Sequence, residues 1–405
     1  MNVFVIPSWY PSKDFPFTGI MISEQYEAIA KMNPHVNIGI SLWGQMDNSL
    51  LLHFRDHIKN IHKLIKKHKV FTVTKTINLK EYHTPAFTWT RKLLEGNFKQ
   101  IVSANLENIK SFEKDFGPID LIHAQVGHPA GNIALEISKR FNLPFCITER
   151  MGPFPSSYTT NKDGTLTYFH KLPYLASAIN ISVSPFQKNM MEKQEIPNTS
   201  VIPDFIDEDF FKPAEQLNYN NKSFTFFSFA RLVNGKGIED LLIAIKAITL
   251  TGVKLKLRLA GTGPETKELL KLANKLNVSH SVDWLGDLSR LKAVQEYQKC
   301  DSFVLPSYYE SFGIVYIEAL ACGKPIIATR CGGPETIVNE TNGLLVDKNN
   351  PQELANAMIK MMNCYKQYDS KAIRQDFLNR FSKKAVIPQL MDLYEQVIAQ
   401  HRSTS

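Results

Sequence analysis

The order of apolar and amphipathic segments along the chain is the feature that most constrains its fold. Short apolar runs typical of buried strands alternate with longer segments whose apolar residues recur at helical spacing, and this series occurs twice. Between the two series, residues 201–222 are rich in proline, asparagine and acidic residues, as linkers are. Strands that alternate with helices form parallel sheets covered on both faces. The sequence therefore predicts two doubly wound, Rossmann-like α/β domains in tandem.

The predicted domain boundaries follow from this pattern. We assign residues 1–205 to a first domain, 206–222 to a linker and 223–384 to a second domain. We expect the terminal helix over 385–402 to pack back on the first domain. A chain of 405 residues accommodates two domains of ordinary size. Because ligands bind at the carboxyl ends of the strands in such sheets, two facing domains predict a binding cleft between them.

The charge balance narrows the class of partner. The formal net charge is +8 and the isoelectric point is near 9.0, which suits nucleotide phosphates, nucleic acid or an acidic membrane surface. No motif interleaves aromatic and basic residues in the way that nucleic-acid binding requires. We therefore expect no nucleic-acid partner.

Cysteine usage and the absence of long apolar runs indicate the compartment. The five cysteines are scattered without a CxxC pair, which favours reduced thiols over a disulfide framework or a zinc site. The opening residues MNVFVIPSWYP lack the basic and long apolar regions of a secretory signal. No run approaches about 18 apolar residues. We expect a cytoplasmic protein, and any contact with the inner face of the plasma membrane would be peripheral.

Two glutamates in the stretch PSYYESFGIVYIEALACGKPIIATRCGGPETIV are the main candidates for chemistry. Glu310 precedes an apolar helix and Glu318 lies inside it, about 12 Å further along the helix axis. That separation exceeds the spacing of either class of glycosidase carboxylate pair. The two side chains would therefore contact different parts of one extended ligand, with the N–H groups of Ser311, Phe312 and Gly313 between them as an anion site. A capping glutamate and a surface glutamate are an equally good interpretation of this stretch alone.

Basic and glycine residues after other strands add weaker candidates. Arg231 ends a strand and Lys236 precedes a helix, so the two cations can clamp a diphosphate, although a solvated basic loop is the commoner interpretation. Gly19 precedes the first helix, where a backbone can approach a phosphate closely. The LAGTGPE segment lacks the third glycine of a dinucleotide fingerprint, which favours a tight turn.

Histidines and a basic segment in the first half complete the candidates. His128 lies in a loop after a strand, where it would contact the sugar or the acceptor or would simply cap a helix, whereas His123 belongs to the core. Residues 53–69 contain six Lys or Arg, four His and one acidic residue around apolar positions at helical spacing. Such a helix can lie on an anionic membrane surface or be a solvated helix with a thin apolar stripe.

A resemblance to a known family supports the functional interpretation of these residues. Glu310 and Glu318 within their motif, followed by GGPETIV and NGLLV, resemble the signature of the family 4 retaining glycosyltransferases. ARLVNGKGIEDLLIAI, AGTGPE and VDWLGDL are similar to further motifs of that family, so the resemblance covers residues 224–360. In the first half, PSWYPSKDFPFTGIMISEQ, IHAQVGHPAG and PFCITER resemble a branch that builds bacterial polysaccharide or lipopolysaccharide.

The resemblance implies a GT-B fold and a reaction. The enzyme would move a hexose or N-acetylhexosamine from a nucleotide-diphosphate sugar, with UDP favoured over GDP, to a glycan or lipid-linked acceptor. Glu310 would hold the sugar hydroxyls and Glu318 the ribose hydroxyls, while Arg231 and Lys236 neutralise the diphosphate. No metal and no other cofactor are implied, and His128 is kept as a catalytic candidate. The further donor-binding positions implied are Gly19, Gly261, Leu285, Ser311, Phe312, Gly313 and Ile314.

Three departures from the family pattern concern the acceptor side. Gln125 stands where the family often has a second histidine, the linker reads PDFID, and Arg150 stands where the related branch often has histidine. Two alternatives to a transferase stay open. Nucleotide-sugar 2-epimerases share the fold but lack the spaced glutamates with the Arg/Lys clamp. A non-catalytic homologue that only binds a sugar nucleotide or scaffolds a complex would not need to keep all four residues.

Overall fold

The computed structural model describes residues 1–52, 57–65, 68–89, 97–215 and 223–404. The chain forms two compact units. The first unit comprises Met1–Val183, Lys188–Ile202 and Ile387–Ser405, and the second comprises Ser184–Gln187 and Pro203–Val386. Residues 206–215 of the predicted linker belong to the second unit, and 216–222 lie outside the described residues.

The first unit is built on one mainly parallel sheet. Among the described residues its strand order is β3-β4-β2-β1-β5-β6-β7-β8, and only the β3–β4 pair is antiparallel. The strands are β1 (Asn2–Pro7), β2 (Asn37–Leu42), β3 (Phe71–Thr76), β4 (Leu79–His83), β5 (Leu121–Gln125), β6 (Phe145–Glu149), β7 (Ile179–Ser182) and β8 (Thr199–Val201). The central strands β1, β5 and β6 are almost entirely buried, as expected for a parallel sheet covered on both faces.

The helices of the first unit connect these strands. They are α1 (Ile20–Met32), α2 (His57–Ile65), α3 (Phe98–Phe116), α4 (Asn132–Phe141), α5 (Tyr168–Ala176) and α6 (Pro185–Glu192), of which α6 begins with residues of the second unit. The β3–β4 hairpin was not predicted. Strand β3 is an exposed edge strand with the sequence FTVTKT, so it lacks the apolar run that marked the central strands.

The second unit contains a fully parallel sheet. Its strand order within the described residues is β11-β10-β9-β12-β13-β14, the order of a doubly wound fold. The strands are β9 (Phe224–Phe229), β10 (Leu255–Ala260), β11 (Val282–Gly286), β12 (Ser302–Leu305), β13 (Ile326–Thr329) and β14 (Gly343–Val346). The helices are α7 (Ile238–Leu250), α8 (Thr266–Lys275), α9 (Arg290–Lys299), α10 (Ile314–Ala321), α11 (Pro334–Ile337), α12 (Pro351–Cys364), α13 (Ser370–Phe381) and α14 (Lys383–Thr404), and α14 continues into the first unit.

Strand order determines where each unit can bind a ligand. The order reverses between β1 and β5 in the first unit and between β9 and β12 in the second. At such a switch point the connecting helices leave to opposite faces, which opens a crevice at the carboxyl ends of the strands. Buried aromatic rings hold two helices beside the second crevice: Phe227 packs edge-on against Tyr297 of α9, and Phe303 packs edge-on against Tyr316 of α10.

Candidate functional site

The switch point of the second unit is built from the loops that follow β9 and β12. Gly237 ends the first loop with φ of 65°, and a Cβ there would lie 1.9 Å from the Pro306 carbonyl oxygen of the second loop. Only glycine fits both the backbone angle and the close approach. The Tyr308 N–H also donates to the Gly235 carbonyl at 2.7 Å. The two loops are therefore fastened to each other at the mouth of the crevice.

An ion pair joins the same two loops. Lys236 Nζ lies 2.6 Å from Glu310 Oε1, and the Ser307 hydroxyl donates to the same oxygen at 2.7 Å. The Glu310 carbonyl accepts from the Gly333 N–H, so the loop after β13 also fixes this residue. A carboxylate offers about four acceptor positions. The two bonds to Oε1 therefore leave acceptor capacity for the hydroxyl groups of a ligand.

The second predicted cation lies on the same loop as Lys236. Arg231 is exposed directly after β9, and the neighbouring Leu232 N–H donates to the Thr262 carbonyl at 2.9 Å. Gly261 has φ of 110°, and a Cβ there would come within 1.8 Å of the Ala230 carbonyl oxygen. This close packing holds the loops after β9 and β10 together. It explains the GxG segment as a loop-packing feature, in agreement with the tight-turn interpretation.

The entry into α10 places the next group of predicted residues. Gly313 lies directly before the helix in a left-handed conformation, and Ser311 and Phe312 are buried in the preceding turn. The Ser311 carbonyl accepts from the Ser184 hydroxyl at 2.5 Å. The first helical residue, Ile314, is half-buried. Leu285, on the neighbouring strand β11, is also half-buried.

Glu318 is not a surface glutamate. Its side chain is 3% exposed, and its two oxygens accept from Arg290 Nη1 at 2.5 Å and from the Tyr297 hydroxyl at 2.8 Å. Burial raises the pKa of Glu318, while the Arg290 guanidinium and the Tyr297 hydroxyl act to lower it. Sequence reasoning did not identify Arg290 or Tyr297. The available signal was a glutamate within the apolar helix IVYIEALA, since a buried carboxylate requires a partner.

The predicted residues of the first unit lie at its own switch point. Gly19 directly precedes α1, after β1. His128 follows β5 and is largely buried, with Nδ1 2.7 Å from the Asn132 side-chain oxygen and its ring beside those of Phe169 and His170. His123 is fully buried, as expected for a core residue.

Glu149 is a buried glutamate that sequence analysis did not single out, and it fixes two loops at the carboxyl end of the first sheet. Glu149 ends β6 and is almost fully buried. Its carboxylate accepts from the N–H groups of Gly127 at 3.1 Å and Met151 at 2.7 Å, and from the Tyr174 hydroxyl. Burial raises the pKa of Glu149. The loops after β5 and β6 are thus fixed through one carboxylate.

Two of the departures from the family pattern are in contact. The Arg150 guanidinium donates to the Gln125 side-chain oxygen through Nη1 and to Gln25 Oε1 at 2.5 Å through Nη2. Gln125 also donates to the Tyr26 hydroxyl at 2.6 Å. A glutamine supplies the neutral oxygen that a guanidinium can bind, whereas two histidines at these positions would not form this bond.

The basic segment 53–69 is described in part. Helix α2 covers 57–65, and residues 53–56 and 66–67 lie outside the described residues. Within α2, Ile61, Leu64 and Ile65 are exposed. No helix in the described part of the chain is long and apolar enough to cross a membrane.

Comparison with known proteins shows which proteins this chain resembles. Residues 209–376 match the family model of the group 1 glycosyl transferases, and this range contains every predicted site residue of the second unit. An uncharacterized glycosyltransferase of Methanocaldococcus jannaschii is 27% identical over 321 residues, which are 75% of this chain and 87% of that protein. The D-inositol 3-phosphate glycosyltransferase of Corynebacterium jeikeium is 41% identical over 101 residues, which are 25% of this chain and 24% of that protein.

Solved structures share the fold along the whole chain. Sucrose-phosphate synthase from Thermosynechococcus elongatus matches with a TM-score of 0.75 and 22% identity over 98% of this chain and 99% of that one. Anabaena HepE in complex with UDP matches with a TM-score of 0.70 and 19% identity over 98% and 100% of the two chains. The predicted fold class is confirmed, and it is the GT-B fold. The family match and the relatives together support a glycosyltransferase.

Proposed function

We propose that this protein is a retaining glycosyltransferase of cell-surface polysaccharide or lipopolysaccharide synthesis. It would move a hexose or N-acetylhexosamine from a nucleotide-diphosphate sugar to a glycan or lipid-linked acceptor. The observation that carries the proposal is the Lys236–Glu310 pair at 2.6 Å at the switch point of the second unit. A cation for the diphosphate and a carboxylate for the sugar hydroxyls are what a sugar-nucleotide site needs side by side.

In the proposed reaction the two cations and the carboxylate of the site have different roles. Arg231 and Lys236 neutralise the diphosphate, so that both electrons of the breaking bond between anomeric carbon and phosphate oxygen pass to that oxygen. Glu310 holds the sugar hydroxyls and fixes the anomeric carbon in place. The acceptor hydroxyl forms its new bond on the face that the diphosphate leaves and gives its proton to the departing phosphate. The anomeric configuration is therefore retained, and side-chain cations do the work without a metal or another cofactor.

The nucleoside would lie against the second unit. Glu318 is proposed to accept the ribose hydroxyls, and Gly261, Leu285 and Ile314 to line the remaining donor site. We propose uridine as the base, since a structural neighbour was solved with UDP. The amides of Ser311, Phe312 and Gly313 would add to the diphosphate site at the positive end of α10.

The acceptor is proposed to lie against the first unit. His128 stands at the switch point of its sheet, where a ligand crevice is expected. Gly19, which directly precedes α1 at the same switch point, is proposed instead to assist binding of the donor diphosphate. Glu149 and the Gln125–Arg150 bond fix the loops around that point. His128 would orient the acceptor sugar or its lipid-linked phosphate.

We also propose that the protein is cytoplasmic and contacts an anionic membrane through the basic segment 53–69. This segment has six Lys or Arg, four His and one acidic residue, and its helix α2 exposes Ile61, Leu64 and Ile65. Lysines around exposed apolar side chains fit anionic lipid. Sedimentation with phosphatidylglycerol vesicles, but not with phosphatidylcholine vesicles, is expected. Equal sedimentation with both, or with neither, would contradict the contact.

The transfer proposal is tested by separating binding from chemistry. The wild-type protein is incubated with UDP-glucose, UDP-N-acetylglucosamine and GDP-mannose and a bacterial lipid-linked glycan extract, and the glycosylated product is followed by mass spectrometry. Glu310→Ala should abolish transfer and leave nucleotide affinity largely intact, whereas Arg231→Ala or Lys236→Ala should weaken both. Full activity in the Glu310→Ala protein would overturn the assignment. Nucleotide binding without transfer would favour the non-catalytic alternative, and an epimerised donor would favour the 2-epimerase.

A further inference from the structure

The surroundings of Glu318 contain a charged partner that the proposed reaction does not use. Arg290 is the first residue of α9, and its guanidinium bonds the Glu318 carboxylate at 2.5 Å. The Arg290 side chain is 23% exposed and Glu318 only 3%. A ligand that approaches this carboxylate therefore meets a buried group whose charge is balanced from the solvent side by one arginine.

The guanidinium is held in place from several directions. Its Cζ lies 4.7 Å from the ring centroid of Phe211, which is fully buried. Arg374 of α13 donates to the Phe211 carbonyl at 2.6 Å and to the Ala321 carbonyl at 2.5 Å, which ties that ring to the end of α10. A stacked and ion-paired guanidinium is more restricted than a surface arginine. The pair is therefore a fixed part of this site.

Arg290 opposes the effect of burial on the Glu318 charge. Burial raises the pKa of Glu318, and Arg290 is the first of the groups that lower it. Tyr297 on α9 also bonds the carboxylate, and burial raises the Tyr297 pKa well above its ordinary value, so this group stays a neutral donor. Other titratable or charged groups near this end of α10 include Cys300, Cys322, Lys324 and Arg374. Among the groups bonded to the Glu318 carboxylate, Arg290 is the cation.

We infer that Arg290 is a positioning residue that keeps Glu318 ionised and oriented, so that its remaining acceptor positions can bind the ribose hydroxyls of the donor. This inference rests on the proposed role of Glu318 in holding the ribose. A carboxylate has about four acceptor positions, of which Arg290 and Tyr297 use two. The other two match the two hydroxyls of a ribose. Hydrogen bonds to an ionised acceptor are about twice as strong as those to a neutral one, so recognition of ribose depends on Glu318 being charged.

The test compares a ribonucleotide with its analogue that lacks both hydroxyls. The dissociation constants of UDP and 2′,3′-dideoxy-UDP, and of GDP and 2′,3′-dideoxy-GDP, are measured by calorimetry from about pH 5.5 to about pH 8.5, a range above the ordinary glutamate pKa. In the wild-type protein the dideoxy analogue of the tighter nucleotide should bind about tenfold more weakly or worse at the pH values where Glu318 is ionised. In Arg290→Gln the carboxyl of Glu318 keeps its proton to higher pH. The dideoxy penalty should therefore be small at the acid end and grow as the pH rises.

The chain offers a matched control for the loss of one arginine. Arg258 bonds Glu296, also on α9, at 2.5 Å, with the arginine 28% and the glutamate 9% exposed. Arg258 also pairs with Asp283 and Glu296 with Lys299, so Arg258→Gln removes an arginine–glutamate pair at similar burial on a glutamate that we have not placed in the donor site. Arg258→Gln should leave the dideoxy penalty and its pH dependence as they are in wild type. Arg290→Lys, which keeps the charge, should lie close to wild type.

A dideoxy penalty in Arg290→Gln with the same size and pH dependence as in wild type would overturn the inference. If Arg290→Gln does not fold, Glu318→Gln and Arg290→Gln/Glu318→Gln decide, since the double variant leaves no unpaired buried charge. Arg290 acts through Glu318 only if the arginine substitution adds no further loss of UDP affinity once Glu318 is neutral, and a further loss would overturn the inference. The failure of the proposed function looks different, because wild type would then bind neither UDP nor GDP, or would show no dideoxy penalty.

Discussion

Replacing Lys236 with alanine should weaken both the fold of the second unit and its hold on nucleotide. The substitution removes the partner of Glu310, whose side chain is 13% exposed, while Lys236 itself is 26% exposed. Breaking a fully buried pair costs about 3–5 kcal/mol and an exposed pair contributes about 0–1 kcal/mol. The intermediate burial of this pair places the expected loss at about 1–3 kcal/mol of unfolding free energy. The Ser307 hydroxyl keeps one bond to the carboxylate, so the lower half of that range is favoured.

The assay is calorimetric unfolding with and without UDP. A loss of about 1 kcal/mol lowers the melting temperature of a domain of this size by about 2–4 °C. UDP at a hundred times its dissociation constant should add about 2.7 kcal/mol to wild type, and clearly less to Lys236→Ala at the same concentration, because a diphosphate contact is gone.

Lys271→Ala is the control for this prediction. Its pair with Glu268 spans 2.8 Å, a similar distance, but both side chains are exposed. We expect a change below about 0.5 kcal/mol and no effect on UDP. If Lys236→Ala and Lys271→Ala are equally stable and equally stabilised by UDP, the argument that Lys236 serves the site is refuted.

Two further predictions concern packing and protonation. Gly261→Ala should lower the unfolding free energy by more than about 2 kcal/mol, because a positive φ and a Cβ at 1.8 Å from the Ala230 carbonyl oxygen act together. Gly252→Ala, also at positive φ but with no neighbouring atom within 4 Å, should cost clearly less in the same denaturation experiment. Burial raises the pKa of Glu149, so the carboxyl keeps its proton to higher pH in the native state than in the unfolded state. The unfolding free energy of the wild type therefore falls as the pH rises through the native pKa. Glu149→Gln should remove this decline between about pH 4.3 and neutrality, and an unchanged pH profile would contradict the assignment.

The alternation of apolar strands with amphipathic helices predicted the fold because parallel sheets are built from that order of elements. Strands β1, β9 and β12 are largely apolar runs, and their burial on both faces is what made them recognisable. The β3–β4 hairpin was missed for the same reason, since an exposed edge strand has no such run.

Residues of the candidate site were predictable where they lie close to one another in the sequence or soon after a strand. Glu310 and Lys236 are 74 residues apart, yet both follow strands that are neighbours at the switch point, so strand order could bring them together. Arg290 could not be found in this way. Its pairing with Glu318 depends on how α9 and α10 pack side by side, and a helix surface carries many charged residues that look alike in sequence.

The measurement that tests the central claim most directly is the configuration of the product. The glycosylated acceptor is isolated from a reaction with an α-linked nucleotide sugar, and the anomeric configuration of the new linkage is read by NMR. Retention predicts an α linkage in the wild-type product and no product in the Glu310→Ala protein. A β linkage, or the same product from both proteins, would contradict the account.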